Sequence, residues 1–341
     1  MEKVNLVDKN VLFDLKKILN QELPARFTKG EKIAVKAHLG EYENLFYLRP
    51  PLLETVVYAL KEIGSEPFIF DTTTWYHGSR HTPKDYEETA RKNGFTKESM
   101  GCPIIFSDES VKRKGLRYYK EVGIAKDLAE SDGMVVVSHV KGHEDASFGG
   151  AIKNLGMGGV DVKAKMEGHI LSRPELVGEC VGCGTCAEIC PYGSITVEGN
   201  SVKINEEGCF GCNACVRVCP QNALAPKVAS VRQFIAEAAA VVLSTFKEDK
   251  VYYVNVLMDI VKHCDCLKTR SDDFGQTLCP DIGVLASEDI ASIDRASLDL
   301  INKATGIENF FLDINKTDPY EQVETFESFR GGKKDYSLVE I

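Results

Sequence analysis

The stretch Met134-Val135-Val136-Val137-Ser138-His139-Val140 decides the fold class. Its β-branched residues run on without the polar alternation of a half-exposed strand, which is the pattern of a strand buried on both faces of a parallel sheet. Outward from it, short β-rich apolar runs alternate with amphipathic segments, as in an α/β chain. Towards the N-terminus, residues 32–39, 67–70 and 104–106 read as strands. Residues 49–63 read as a helix opened by Pro50-Pro51, and residues 83–92 as a helix that stops near Gly94. The pattern resumes after Pro226 with an alanine-rich helix over 231–246, strands over 251–261 and 282–286, and a helix over 289–303. The expectation is an α/β domain on a mostly parallel sheet.

Two stretches break this pattern. One is glycine-rich, from Gly149 to Gly159; the other is a window from Cys180 to Cys219 that holds eight of the chain's 12 cysteines. Within the window, Cys180-Val-Gly-Cys-Gly-Thr-Cys-Ala-Glu-Ile-Cys190-Pro191 recurs 29 positions later as Cys209-Phe-Gly-Cys-Asn-Ala-Cys-Val-Arg-Val-Cys219-Pro220. The segment after Pro226 has too few strands for a sheet of its own. The expected organisation is therefore one α/β domain, residues 1–173 and 226–315, interrupted by an α+β cysteine module over 174–225 and followed by a C-terminal tail over 316–341.

Composition narrows the function classes. In 341 residues, 43% hydrophobic and 27% charged content are those of a globular protein rather than a disordered or collagen-like one. The net charge of −10 argues against nucleic acid as a partner, since phosphate backbones attract basic surfaces. The runs Lys112-Arg113-Lys114 and Lys333-Lys334 are short enough to be solvated surface. No stretch has the length of uncharged apolar residues that a membrane span needs, and the start Met1-Glu2-Lys3-Val4 is unlike an export leader. A cytoplasmic location follows as an expectation, and a reducing compartment favours metal ligation over disulfides as the use of the thiols.

Each half of the cysteine repeat has the spacing C-x-x-C-x-x-C-x-x-x-C-P. Three close thiolates can wrap one cubane, while the fourth, ahead of the proline, reaches the partner cluster. The spacing assigns Cys180, Cys183, Cys186 and Cys219 to one [4Fe–4S] cluster and Cys209, Cys212, Cys215 and Cys190 to the other. Tetrahedral zinc is the structural alternative, but it is usually held by widely separated C-x-x-C pairs rather than triple thiols with a crossing fourth. A cluster that only staples a small fold is the other alternative. The segment from Cys180 to Pro220 resembles a bacterial two-cluster ferredoxin domain, with Gly182, Gly184, Gly211 and Ala214 letting backbone N–H groups approach the cluster sulfurs.

Outside the module, polar phrases follow three predicted strands, where open α/β sheets place their ligands. They are Val35-Lys36-Ala37-His38-Leu39-Gly40-Glu41, Phe70-Asp71-Thr72-Thr73-Thr74-Trp75-Tyr76-His77-Gly78-Ser79-Arg80, and Ser138-His139-Val140-Lys141-Gly142-His143 running on into Phe148-Gly149-Gly150-Ala151-Ile152-Lys153-Asn154-Leu155-Gly156-Met157-Gly158. Together with Cys264-Asp265-Cys266 and Asp281-Ile282-Gly283, they resemble the family catalogued as domain of unknown function 362, in its members with an embedded ferredoxin. The resemblance spans about residues 30–305.

The candidate site residues follow from these phrases. His139 and His143 lie four apart without the glutamate of a zinc-protease signature, which leaves metal ligation, substrate hydrogen bonding or proton transfer, and a structural role. The glycine stretch can present N–H groups to an anion beside Lys153 and Asn154, or it can be a tight turn needing positive φ. Cys264 and Cys266 face one side if the chain is extended there; with His263 and Cys279 they make a candidate third metal site or a redox-active thiol pair, against a reading as buried structural thiols. Cys102 reads as core. Asp294 and Arg295 fit the first half of a helix, where a structural role competes with catalysis. Arg80 and Asp71 suit either an acidic substrate or ordinary ion pairs.

The leading expectation is an iron–sulfur oxidoreductase that relays electrons through two [4Fe–4S] clusters to a site in the α/β domain, with a further metal or a flavin as additional cofactor candidates. The alternatives are a non-catalytic electron-transfer subunit and a metal- or cofactor-binding redox sensor. The expected partner is a redox protein or a small-molecule substrate.

Overall fold

The computed structural model describes residues 1–268, 276–331 and 335–341. Its centre is an eight-stranded sheet. In chain order the strands are β1 (Glu2–Val7), β2 (Lys32–Ala37), β3 (Glu66–Asp71), β4 (Ile104–Phe106), β5 (Gly133–His139), β6 (Val251–Leu257), β7 (Gly283–Ser287) and β8 (Tyr336–Glu340). They lie in the spatial order β8-β1-β7-β6-β5-β2-β3-β4. Every neighbouring pair is parallel except those of β7, which runs antiparallel to both β1 and β6.

The reading of residues 134–140 as a doubly buried strand is met by β5, all of whose residues are buried. Val135 and Val137 enter one apolar layer, Met134 and Val136 the other. The first layer is closed by helices α1 (Val11–Glu22), α2 (Pro50–Ile63) and α3 (Pro83–Lys92). The second is closed by α4 (Ala151–Gly158), α5 (Val162–Leu171), α6 (Val231–Leu243), α7 (Ile290–Thr305) and α8 (Tyr320–Arg330). Local chemistry sets the helix ends. Pro50 and Pro51 open α2 and a left-handed Gly64 closes it; Ser230 and Gln233 form a capping box on α6, and the Asp289 side chain accepts from Ser292 N at the start of α7.

Strands on both sides of the cysteine window share this sheet. The chain enters and leaves the module through a short antiparallel pair, Pro174–Leu176 with Leu224–Pro226, so the module's two ends are adjacent. Inside it, the sequence repeat recurs as geometry at the same offset. The four-residue helices Thr185–Glu188 and Ala214–Arg217 correspond. So do left-handed Gly182 and Gly211, Gly184 and Asn213, and Gly193 and Asn222.

Three expectations are corrected. Residues 316–341 are no tail: α8 packs against α6, and β8 pairs with β1 at the sheet edge. The sequence hid β8 because an edge strand alternates half-buried and exposed residues instead of forming an apolar run; β1 also went unrecognised. The strand expected over 251–261 ends at Leu257, because Asp259 turns the chain with a positive φ and its N–H bonds Asp281. The glycine stretch is neither an anion loop nor a positive-φ turn: most of it is α4, and none of its glycines has positive φ. These glycines permit close packing, since a Cβ on Gly156 would stand 2.2 Å from Ile235 O and one on Gly150 would stand 2.4 Å from Asp294 Oδ1. Lys112, Arg113 and Lys114 are exposed as expected, whereas Lys333 and Lys334 lie outside the described residues.

Candidate functional site

A cavity of about 410 Å³ opens at the C-terminal ends of β2, β3 and β5. Parallel strands end there with their side chains converging on one crevice, which is where such sheets bind ligands. Lys36 and His38 enter from β2 and the residue after it, Asp71 from β3, Ser138 and His139 from β5, Lys153 and Asn154 from α4, and Lys165 from α5. Cys264, Asp265 and Cys266 arrive on the segment beyond β6.

The floor is a buried charge network. Lys36 Nζ lies 3.1 Å from Asp71 Oδ1, and Lys141 Nζ lies 2.9 Å from Asp265 Oδ1. His38 stands between the two acids, with Nδ1 3.3 Å from Asp71 and Nε2 3.5 Å from Asp265. Tyr86 donates its hydroxyl to Asp71 at 2.6 Å. Burial alone would raise both carboxyls, but Lys36, His38 and Lys165 hold Asp71 far below the usual carboxylate range, and Lys141, His38 and His139 do the same for Asp265. Burial lowers His38 and drives His143 well below its ordinary value, the latter helped by Lys153 and Lys141.

The sequence candidates fall into distinct places. His139 Nε2 lies 2.9 Å from Met258 O, and its Nδ1 lies 3.4 Å from Asp265, so it braces the acid. His143 Nδ1 accepts from Asp145 N and Ala146 N, which leaves Nε2 to carry the proton of a neutral ring. Asn154 is fully engaged: its amide donates to Val137 O and Ser138, and its oxygen accepts from Lys36. The N–H groups of Ala151 and Ile152, expected to face an anion, instead donate to Asp294 at 2.7 and 2.9 Å. That gives Asp294 a capping role, and its burial pushes its carboxyl up to about 6. Arg80 pairs with Glu41 at 3.0 Å and donates to Cys266 O, while Arg295 pairs with Glu327.

Cys264 and Cys266 both line the cavity, but the chain turns there instead of running extended. The two sulfurs are joined as a disulfide with Cα atoms 5.1 Å apart. Ligand atoms of His143, Cys264 and Cys266 lie within 4.8 Å of one another, as do those of His38, Asp265 and Cys266. His263 pairs with Glu144 through a short contact. Cys279 packs in an apolar layer and is not among the cavity-lining residues; Cys102 is buried in the other layer.

Lys153 and Lys165 stand apart from these ion pairs. Lys153 Nζ lies 3.8 Å from Cys264 Sγ, and Lys165 donates to Thr72 Oγ1 at 2.6 Å and to Thr73 O. Burial lowers each to about 8; for Lys165, Asp71 and Asp108 oppose the fall.

The roof comes from the cysteine module. Phe210 and Tyr192 line the cavity together with Trp75. Phe210 and Trp75 lie 4.5 Å apart between ring centroids, and Tyr192 stacks on Phe210 at 5.1 Å. His169 Nδ1 lies 3.0 Å from Phe210 O.

The eight module thiols separate into two neighbourhoods. Cys180, Cys183, Cys186 and Cys219 line one small cavity of their own. In the other, Cys209, Cys212 and Cys190 act electrostatically on Cys215. Burial first, then crowding by these neighbours, pushes Cys215 up to about 12. Three thiols already accept backbone N–H groups: Gly182 donates to Cys180, Ser194 to Cys190 and Ala223 to Cys219.

The model of the family described as domain of unknown function 362 matches residues 33–299. The chain belongs to this family. The match covers strands on both sides of the module and every residue lining the cavity of this DUF362 protein. No curated protein matches the chain. A crystal structure of a protein from Thermotoga maritima is similar at 9% identity and a TM-score of 0.49, over 90% of this chain and 61% of that one. The lactate racemase apoprotein from Thermoanaerobacterium thermosaccharolyticum is similar at 12% identity and a TM-score of 0.42, over 89% of this chain and 58% of that one. The DUF362 chain thus spans about three fifths of the length of each. No helix among its described residues is long and apolar enough to cross a membrane.

Sequence reasoning gave no role to Lys165, Tyr192 or Phe210. Phe210 left a signal, because it stands where the first repeat has Val181, and Val181 is 53% exposed. Lys36 left one too, as a lysine inside the otherwise apolar run Lys32–Ala37. Lys165 lies on a helix with no clear apolar face and left none.

Proposed function

We propose that this protein is an iron–sulfur electron-transfer oxidoreductase acting on a small anionic substrate in the strand-end cavity. Cys180, Cys183, Cys186 and Cys219 hold one [4Fe–4S] cluster; Cys209, Cys212, Cys215 and Cys190 hold the other. The observation that carries the reading is the shared cavity wall: Phe210 and Tyr192, beside the second thiol set, close the crevice into which β2, β3 and β5 deliver their polar residues. The donor chemistry suits the clusters, since two sets of four thiols gather with N–H groups already directed at their sulfurs. Bound clusters supply one-electron carriage.

The protein residues do the rest. Phe210, Tyr192 and Trp75 exclude water from the crevice, and the Asp71 and Asp265 network fixes its floor. Lys153 and Lys165, outside the ion pairs, provide the charge that an anionic substrate requires. The exposed Cys183, flanked by the half-exposed Val181 and Ile189, offers an entry face to a redox partner protein. The test is anaerobic purification with iron, sulfide and zinc analysis and electron paramagnetic resonance of the reduced protein. Eight irons with two interacting cluster signals are expected; zinc in place of iron sinks the reading.

A further inference from the structure

The cavity holds a group that one-electron carriers alone do not require. Cys264 and Cys266 are joined and line the cavity wall, and Cys264 is 1% exposed to bulk solvent. Cys266 is partly buried, so the pair is held in the wall and open to whatever occupies the crevice. The segment from His143 to Asp145 spans the gap between this pair and the module. At one end, a His143 ring nitrogen lies within 4.8 Å of both sulfurs. At the other, Asp145 acts electrostatically on Cys212 and on Tyr192. Asp145 N donates to His143 Nδ1, which ties the two ends into one turn.

We propose that Cys264 and Cys266 form a redox-active disulfide and dithiol that takes up two electrons from the module and stores them at the cavity wall. The proposal rests on the iron–sulfur reading above. In the reductive half-cycle the S–S bond breaks, the two sulfurs gain two electrons, one from each reduced cluster, and two protons taken up from bulk solvent make two thiols. The clusters are oxidised by one electron each and are recharged by a one-electron donor of the ferredoxin or viologen class. The arrangement converts single-electron delivery into a two-electron reductant facing a bound anion. Lys153, 3.8 Å from Cys264 Sγ, is placed to stabilise the thiolate form.

The full-length holoprotein tests this without a substrate. Oxidised, anaerobic protein is alkylated before and after reduction by methyl viologen radical, and peptides carrying Cys264 and Cys266 are weighed by mass spectrometry. The expected result is no label before reduction and label on both cysteines after it. In a reductive titration, wild type should take up twice the electron equivalents of a Cys264→Ser/Cys266→Ser variant with the same iron content. Label on both thiols in the oxidised protein overturns the proposal, and so does their protection after reduction, with or without an additional stoichiometric metal. A Cys212→Ser variant that loses iron separates the two levels. If its Cys264 and Cys266 are still reduced by viologen at the wild-type rate, the pair does not draw on the module. Wild type with fewer than eight irons instead fails the cluster reading itself.

Discussion

Phe210 of the cysteine module and Trp75, four residues beyond the end of β3, lie 4.5 Å apart between ring centroids, in an aromatic contact that joins the two halves of the site. Trp75 is the only tryptophan in the chain. Its emission therefore reports on the junction alone.

Iron bound beside Phe210 should quench Trp75. Chelation of the metal from the holoprotein is expected to raise the emission severalfold, and Phe210→Ala is expected to shift it to longer wavelength as water enters the crevice. The aromatic contact contributes about 0.5–1.5 kcal/mol beyond the area it buries, and iron content measured on Phe210→Ala separates a local opening of the crevice from loss of the module. Unchanged emission in both experiments would separate the module from the cavity.

The Asp265 carboxylate is fully buried, and Lys141, His38 and His139 hold it in its charged form. Its pKa is lowered in the fold, so the stabilisation is present above the ordinary carboxylate value and is lost as the pH falls below it. Asp265→Ala leaves Lys141 buried and uncompensated and should cost about 3–5 kcal/mol in chemical denaturation. Adding Lys141→Met should recover much of that loss and flatten the acid limb. A double variant no more stable than the single one would deny the coupling.

The sheet was legible where burial writes itself into the sequence. The apolar run of β5 and the helix over residues 83–92 are read almost to the residue, and β6 is read correctly at its start. The cysteine repeat is legible because thiol spacing is local. Asp294 is the instructive contrast: it caps a helix 143 positions earlier in the chain, a relation that no window of sequence contains. The glycine stretch misled for a related reason, since its glycines answer to Ile235 and Asp294, which arrive from distant segments. The site's charges behave alike; Lys36 needs Asp71, and Asp265 needs Lys141, and only the fold brings each pair together.

Gly156 tests the packing account of the glycine stretch. A Cβ there meets Ile235 O, a backbone atom of α6 that cannot swing aside. Gly156→Ala should destabilise by at least about 1–3 kcal/mol despite the better helix propensity of alanine, visible as a lower thermal midpoint. A midpoint at or above wild type would return the glycines to a role in ligand binding.

Lys165 gives the cavity a pH signature. Burial lowers its pKa to about 8, so the ammonium that would hold an anion is lost as the pH rises through that value. Titration calorimetry with a small dicarboxylate, on either side of pH 8, should show affinity falling towards alkaline pH. Lys165→Met should weaken binding on the order of tenfold to a hundredfold below pH 8 and remove the pH step, as expected for loss of a charge-assisted hydrogen bond. Lys165→Arg, which stays charged, should bind without the step. Stability moves the opposite way: the unfolded lysine holds its proton to higher pH than the folded one, so this residue's contribution to folding grows between about 8 and its ordinary 10.5. A dicarboxylate affinity that is flat with pH, or unaffected by Lys165→Met, would remove the anion from the proposed substrate class.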